Sequence, residues 1–389
     1  MNPLRVIFRT DASIRIGIGH VMRCMTLANA LRERGAECRF ICREHEGNLL
    51  EQIRQRGFDA YGLPVAAELA EPTGSDAKQD QTQSAWLGSD WATDAAQTKV
   101  GAGETVLDWV IVDHYALDAR WERAIRPICK RLMVIDDLAD RPHDCDVLLD
   151  QNSYRDQDQR YQGLLPKQCK TLLGPAYVLL RPEFEKAKQG LRTRDGIVKR
   201  VLVFFGGSDP KNQTRTVLAA LERMNTLDIS IDVVVGHSNP NRHSIQELCD
   251  QLPSVTYHCN ASNMAELIVN ADLGIGAGGS AMWERCYLGL PTITVVFAEN
   301  QVRTTEDVAQ LGAIEYLGST DSLGEDDYER VISSLIANPQ RLKQISDAAM
   351  ALVQKKTTRL VADEILSFQQ QSSASYPAHG TSPTFEAPT

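Results

Sequence analysis

The sequence contains no run of about 18 apolar residues, so no segment reads as a membrane-spanning helix. It has no basic tract either. Its 41 Lys and Arg face 51 Asp and Glu, a net charge of −10, which leaves nothing to neutralise a phosphate polymer. The nine cysteines include no Cys-x-x-Cys pair and are odd in number. They read as reduced thiols rather than as disulfides or a zinc site. No His-Glu-x-x-His pattern occurs, and His143, His237 and His243 read as loop residues, so no metal site is expected. No glycine loop ends in Gly-Lys-Ser/Thr, which excludes a Walker A loop. The run Gly17-Ile-Gly-His-Val-Met22 breaks the dinucleotide fingerprint, because Met22 stands where the third glycine belongs. The N-terminus enters a strand within a few residues and lacks a signal-type apolar region. These absences point to a cytoplasmic protein that handles small molecules, with neither nucleic acid nor membrane as partner. A monomer is the expected state, and no cofactor is implied.

What is present is an α/β alternation long enough for two domains. The 389 residues are 43% hydrophobic, an ordinary globular composition. Apolar runs at 5–9, 38–42, 109–115, 132–136 and 147–150 read as strands, with helical spacing at 20–34 and 48–56 between the first of them. A polar stretch, 68–103, interrupts the pattern with possible helical pieces at 84–87 and 90–99. A charged connection, 181–199, follows. Strands are then expected at 200–205, 231–235, 273–275 and 292–297, with helices at 213–224, 262–271 and 280–288. This predicts two Rossmann-like domains, 1–180 and 200–367, joined by a linker at 181–199. A Ser/Pro-rich tail, 368–389, should be disordered. Alternation of this kind implies parallel sheets, and ligands bind such sheets at the carboxyl ends of the strands. Thr10, Asp11, Asp113, His114, Tyr115, Asp136 and Asp137 fall at those ends.

One of these ends carries a distinctive turn. After the strand ending near Arg9, the chain reads Asp11-Ala-Ser-Ile-Arg-Ile-Gly17-Ile-Gly19-His20 and enters a helix. Gly17 and Gly19 allow close backbone approach to a ligand. His20, in the first helical turn, is placed either to take a proton from water or a hydroxyl or to serve as a structural cap. Asp11 or Asp113 would orient it or bind substrate, a structural hydrogen bond within the first domain being an equal alternative.

The second half has two glycine loops after strands, Gly206-Gly207-Ser208-Asp209 and Gly276-Ala-Gly278-Gly279-Ser280, each preceding a helix. Such turns offer free backbone N–H groups to a phosphate, and two of them in one domain suit a diphosphate. Glu284, a turn into the second helix, can accept hydrogen bonds from both ribose hydroxyls. The alternative is that the glycines only make tight turns and that Glu284 is a solvated carboxylate.

Taken together, these motifs resemble the UDP-sugar hydrolases of pseudaminic acid biosynthesis. The resemblance spans Arg5 to about Ser367. It rests on Arg9-x-Asp11-x-Ser13-x-x-Ile16-Gly-x-Gly-His-x-Met-Arg-Cys24, Val112-Asp-His-Tyr115, Gly206-Gly-Ser-Asp-Pro210, Gly276-Ala-Gly-Gly-Ser280 with Trp283-Glu-Arg-Cys286, and Ala298-Glu-Asn-Gln301. It implies a GT-B fold, two Rossmann-like domains facing a central cleft. The implied reaction is hydrolysis of UDP-2,4-diacetamido-2,4,6-trideoxy-β-L-altropyranose to free sugar and UDP, with inversion and without a metal, serving flagellin glycosylation. His20 would be the base. Tyr115, Asn300, Gln301, Asp11, Gly17 and Gly19 would lie on the sugar side. Gly207, Ser208, Ala261, Met264, Gly278, Gly279, Ser280 and Glu284 would hold UDP. The competing reading is a glycosyltransferase of the same fold that passes a UDP-activated amino sugar to an acceptor hydroxyl. A UDP-sugar-binding protein without turnover is a third.

Overall fold

The computed structural model describes residues 3–65, 86–224, 228–237, 239–353 and 357–374. The first half contributes β1 (Arg5–Thr10), α1 (Gly19–Arg32), β2 (Glu37–Arg43), α2 (Leu50–Gln55), β3 (Asp59–Leu63), α3 (Trp91–Ala102), β4 (Leu107–Asp113), α4 (Ala119–Ile125), β5 (Cys129–Ile135), β6 (Val147–Asp150) and β7 (Lys170–Leu173). The connection holds α5 (Pro182–Gln189). The second half contributes β8 (Arg200–Phe204), α6 (Gln213–Arg223), β9 (Ser230–Val235), α7 (Arg242–Gln251), β10 (Val255–Cys259), α8 (Met264–Asn270) and β11 (Leu273–Ala277). It continues with α9 (Ser280–Tyr287), β12 (Thr292–Val296), α10 (Glu299–Gln310), β13 (Glu315–Ser319), α11 (Glu325–Ile336), α12 (Pro339–Leu352) and α13 (Thr357–Ala374).

Two parallel sheets result. Their strand orders are β3-β2-β1-β4-β5-β6-β7 and β10-β9-β8-β11-β12-β13. Each inner strand buries both faces, as parallel sheets covered by helices require. In β4, Trp109 and Ile111 pack into one core and Val110 and Val112 into the other. In both sheets the strand order reverses at one place, between β1 and β4 and between β8 and β11. Such reversals splay the connecting loops apart and open a crevice at the carboxyl ends. The turn bearing His20 follows β1, Asp113 ends β4, and the two glycine loops follow β8 and β11. The His20 turn, Asp113 and both glycine loops therefore sit at the reversals, while Ala298–Gln301 follows β12, one strand away.

The boundaries differ from expectation. Val178 and Leu180, assigned to the first domain, and Phe184, assigned to the linker, pack into the core beneath the second sheet. Phe184 in α5 is fully buried. Arg194, also in the supposed linker, gives its guanidinium to the carbonyls of Ile268, Ala271, Leu288 and Gly289. It thereby satisfies orphan acceptors at the ends of α8 and α9. The connection is thus an integral part of the second domain. The last helix behaves in the opposite way. Val361, Ala362 and Ile365 of α13 lie in the core of the first domain, and the Phe368 ring meets Trp109 edge-on at 5.6 Å. The helix continues to Ala374, past the expected start of the tail at 368. The rest of that tail, 375–389, lies outside the described residues. So does 66–85 of the polar stretch, whose later part forms α3, with Asp90 capping it through the N–H groups of Ala92 and Thr93 at 2.9 Å.

Because α13 belongs to the first domain's core, Ile365→Ala should lower unfolding free energy by about 2–5 kcal/mol, the cost of emptying a buried aliphatic site. Urea unfolding followed by tryptophan fluorescence reads this, since Trp109 lies in the same core.

Candidate active site

The first sheet's reversal places an ionised relay beside the cleft. Gly17, at φ 80°, closes a turn in which its N–H meets the Ser13 carbonyl at 2.8 Å. That turn delivers α1, and α1 carries His20, Arg23 and Cys24 on one face by the i, i+3, i+4 spacing. Thr10 of β1 pairs in register with Asp113 of β4, which brings the β4 carboxylate under that face. His20 Nδ1 lies 2.6 Å from Asp113 Oδ1. Arg23 donates to both oxygens of Asp113, at 2.6 and 2.7 Å, and to Asp137 at 3.0 Å. Tyr115 donates its hydroxyl to the other oxygen of Asp137 at 2.5 Å, and its ring meets His20 edge-on with centroids 4.6 Å apart. Trp86 adds a tilted ring 5.8 Å from Tyr115. Burial alone would raise Asp113, but Arg23 and then His20 overcome it and hold the carboxyl well below the usual range. An ionised carboxylate only accepts, so His20 Nδ1 carries a proton toward Asp113 and Nε2 is the ring nitrogen turned away from it.

Asp11 does not share this role. Both of its oxygens are taken by Arg9, at 2.5 and 2.9 Å, and one also accepts the Arg43 amide at 2.6 Å. Arg9 and Arg43 in turn bind Asp94 of α3, with Trp121 Nε1 donating to Asp94 at 2.9 Å. The expectation that Asp11 binds substrate is corrected. The side chain is fully buried, its charge is balanced inside the first domain, and the carboxylate that meets His20 is Asp113.

Across the cleft lies a cavity of about 300 Å³. Gly19, Met22 and Arg23 wall it from the first domain, and Gly207, Ala261, Met264, Ser280, Ala281 and Glu284 from the second. The two glycine loops are not equivalent. Asp209 caps α6 by accepting the N–H groups of Gln213 and Thr214, each at 2.9 Å, and the Thr214 hydroxyl at 2.6 Å. That helix end is filled by the chain's own carboxylate, and Ser208 is not among the cavity-lining residues. The helix α9 begins at Gly279 without a side-chain cap, so its first amides are open to an anion. Gly236 approaches Gly207 so closely that a Cβ there would fall 2.2 Å from the Gly207 carbonyl oxygen. Gly278 is needed for packing, because a Cβ would meet the Thr305 hydroxyl at 2.5 Å. Glu284 reaches Arg181 at 3.2 Å; burial raises its carboxyl despite that partner. Asn300 is exposed at the start of α10, and Gln301 accepts the Phe297 amide at 3.1 Å. Arg23, Trp86 and Arg181 were not singled out for the site from the sequence, and Asp137 was named only as lying at a strand's carboxyl end. Only the Arg23 spacing from His20 could have signalled one of them.

The segment after β6 ties the domains together around this cavity. Asn152 accepts from Trp283 Nε1 at 3.0 Å, Ser153 from the Thr304 hydroxyl at 3.3 Å, and Asp307 from the Arg155 amide at 3.1 Å. Among the described residues, no group of three or more His, Cys, Asp or Glu is placed to hold a metal ion. No helix among them is long and apolar enough to cross a membrane.

With this geometry in place, likenesses to known proteins can be read. Residues 201–365 match the glycosyltransferase family 28 C-terminal domain. The chain is 26% identical over 312 residues to the uncharacterized protein MJ1062 of Methanocaldococcus jannaschii, covering 78% of this chain and 58% of that protein. It is 24% identical over 316 residues to a UDP-2,4-diacetamido-2,4,6-trideoxy-beta-L-altropyranose hydrolase of Campylobacter jejuni, covering 80% of this chain and 99% of the relative. Among solved structures it superposes on CalG4, the calicheamicin glycosyltransferase, with TM-score 0.59 and 14% identity over 95% of this chain and 99% of that one. The fold is GT-B, two Rossmann-like domains facing a cleft, as expected. The expectation of a hydrolase devoted to pseudaminic acid and flagellin glycosylation is corrected. Solved proteins of this fold include several glycosyltransferases, the second domain matches a glycosyltransferase domain, and the relative carrying the hydrolase name is 24% identical.

A titrating group adjoins the interdomain segment. Burial, then the charge of Asp137, pushes Asp150 up to about 7, against the Asn152 amide and Arg160. A carboxyl raised in the folded state contributes stability that is full below its unfolded value near 4 and is lost as pH rises through 7. Asp150→Asn should therefore flatten the fall in unfolding free energy between pH 5 and pH 8. Urea titrations at the two pH values check this.

Proposed function

We propose that the chain is a glycosyltransferase that moves a UDP-activated amino sugar onto an acceptor hydroxyl. The observation that carries this reading is a cavity walled on one side by Gly19, Met22 and Arg23 of the helix that holds the His20–Asp113 pair, and on the other by the uncapped α9 terminus with Glu284; His20 itself adjoins this wall without lining it. UDP would lie on the second domain. Its diphosphate would sit against the amides of Ser280 and Ala281 near the Gly207 turn, and its base beside Ala261 and Met264. Glu284 would exchange Arg181 for the ribose hydroxyls. Gly17, Gly19, Tyr115, Asn300 and Gln301 would border the sugar and its acceptor.

His20 Nε2 would take the proton of the acceptor hydroxyl as its oxygen attacks the anomeric carbon. The bond from that carbon to the UDP oxygen breaks on the opposite face, which inverts the configuration. Asp113 stabilises the imidazolium that forms. Backbone N–H groups and the positive end of α9 take up the charge of departing UDP, preset dipoles being the cheapest way to stabilise such charge.

His20→Ala should lower kcat by about 10²–10⁴, the usual value of a positioned base, while UDP affinity stays within about twofold because UDP rests on the other domain. Glu284→Ala should do the reverse. It should weaken UDP binding by roughly ten- to a hundredfold, as hydrogen bonds to a charged group are worth about 1.5–3 kcal/mol, and leave the base in place. Calorimetry with UDP reads the affinities. For the reaction class, UDP release from UDP-N-acetylhexosamines is followed with and without hydroxyl acceptors. Transfer predicts release that depends on the acceptor. Stoichiometric release in acceptor-free buffer would show that water takes the sugar and would contradict transfer.

A further inference from the structure

Arg23 is a cavity-wall residue three of whose five N–H donors are given to carboxylates. Its Nε and Nη2 grip the two oxygens of Asp113 at 2.6 and 2.7 Å, and Nη1 reaches Asp137 at 3.0 Å. The side chain is 9% exposed. Nη2 also lies 3.3 Å from His20 Nδ1, but that nitrogen points its own proton at Asp113 and has no lone pair to offer. A guanidinium held in this way has its charge balanced by the chain's own carboxylates. Its rigid planar fork fixes two carboxylates relative to each other, which a lysine, a single point charge, does not do.

Each carboxylate in turn fixes a proton. Asp113 holds the His20 Nδ1–H, and Asp137 accepts the Tyr115 hydroxyl at 2.5 Å. Burial, and after it the charge of Asp137, keeps Tyr115 protonated far above its ordinary range. Its O–H points at Asp137, so the oxygen has only lone pairs left. The His20 and Tyr115 rings stand edge to face, 4.6 Å between centroids.

We propose that Arg23 is a positioning residue that sets both protons at once, so that His20 Nε2 and Tyr115 Oη face the reactants as two neighbouring hydrogen-bond acceptors. The inference rests on the glycosyl-transfer reading and extends it to the substrate. The groups that meet these two atoms must be donors. At His20 the donor is the acceptor hydroxyl. At Tyr115 it is a hydroxyl or an amide N–H of the amino sugar. Without Arg23, the buried Asp113 charge loses its main compensation. The His20–Asp113 pair then takes up a proton, which removes the lone pair the reaction uses.

The test is nitrogen NMR of the histidine-labelled full-length protein at pH 8, with Arg23→Gln and Arg23→Lys beside the unaltered chain. The unaltered protein should show His20 as the Nδ1–H tautomer with a strongly downfield Nδ1 proton, as a 2.6 Å hydrogen bond to a carboxylate requires. Arg23→Gln should move the His20 Nε2 nitrogen from its unprotonated to its protonated shift, and kcat should fall about 100-fold or more, while UDP affinity by calorimetry stays within about threefold. Arg23→Lys keeps the charge but not the fork, and should move the signal and recover part of kcat. An Nε2 that stays unprotonated in Arg23→Gln overturns the proposal, as does an Nε2–H tautomer in the unaltered protein. A large loss of UDP affinity with the tautomer intact would make Arg23 a phosphate ligand and also overturns it. Failure of the unaltered protein to bind UDP would instead count against the proposed function, with the NMR result still deciding the role of Arg23.

Discussion

Asp113 is a fully buried negative charge at the carboxyl end of an inner strand, and the architecture of the first domain near the cleft follows from what it needs. An isolated carboxylate in that position would cost several kcal/mol. Compensation has to come from rigid donors on a neighbouring element, and α1 supplies them one turn apart as His20 and Arg23. The glycine turn that launches α1 therefore matters less as a ligand-contacting loop than as the device that swings those two side chains over β4. Once the carboxylate is satisfied, the tautomer of His20 and the orientation of Tyr115 are consequences.

A second buried ion cluster, built from Arg9, Asp11, Arg43 and Asp94, lies beside the first. It locks α3 against the ends of β1 and β2. The second domain solves the opposite electrostatic problem. At α9 it leaves a helix N-terminus without a capping side chain, so that positive potential faces the cavity. In the proposed reading the two domains bring an acceptor pair and an anion-attracting helix end to neighbouring sides of one cleft. The segment at 151–155 and the returning helix α13 tie those walls together.

The sequence was most legible where strands are buried on both sides. The apolar runs at β1, β2, β4, β5, β6, β8, β9, β11 and β12 were each expected, and all are interior strands. The four strands not assigned, β3, β7, β10 and β13, are the edges of the two sheets. Their residues are partly exposed, as in Val255–Cys259, where none is buried, and leave no continuous apolar run to detect. Domain boundaries were illegible for a related reason: nothing in local composition says that Val178 and Phe184 pack forward into the second domain or that Ile365 packs back into the first. At the cleft, the unusual turn was enough to single out His20. Choosing Asp113 over Asp11 required the parallel pairing of β1 with β4, which one chain segment does not reveal. The two glycine loops looked alike in sequence. Asp209 distinguishes them, because its carboxylate folds back on the helix that would otherwise be open.

The most direct measurement of the central claim is a crystal structure of the protein with UDP bound. The account predicts the diphosphate within hydrogen-bonding distance of the Ser280 and Ala281 amides, Glu284 turned from Arg181 to the ribose, and the terminal phosphate oriented toward the His20 side of the cleft. UDP found against the capped end of α6, or on the first domain away from His20, would contradict it.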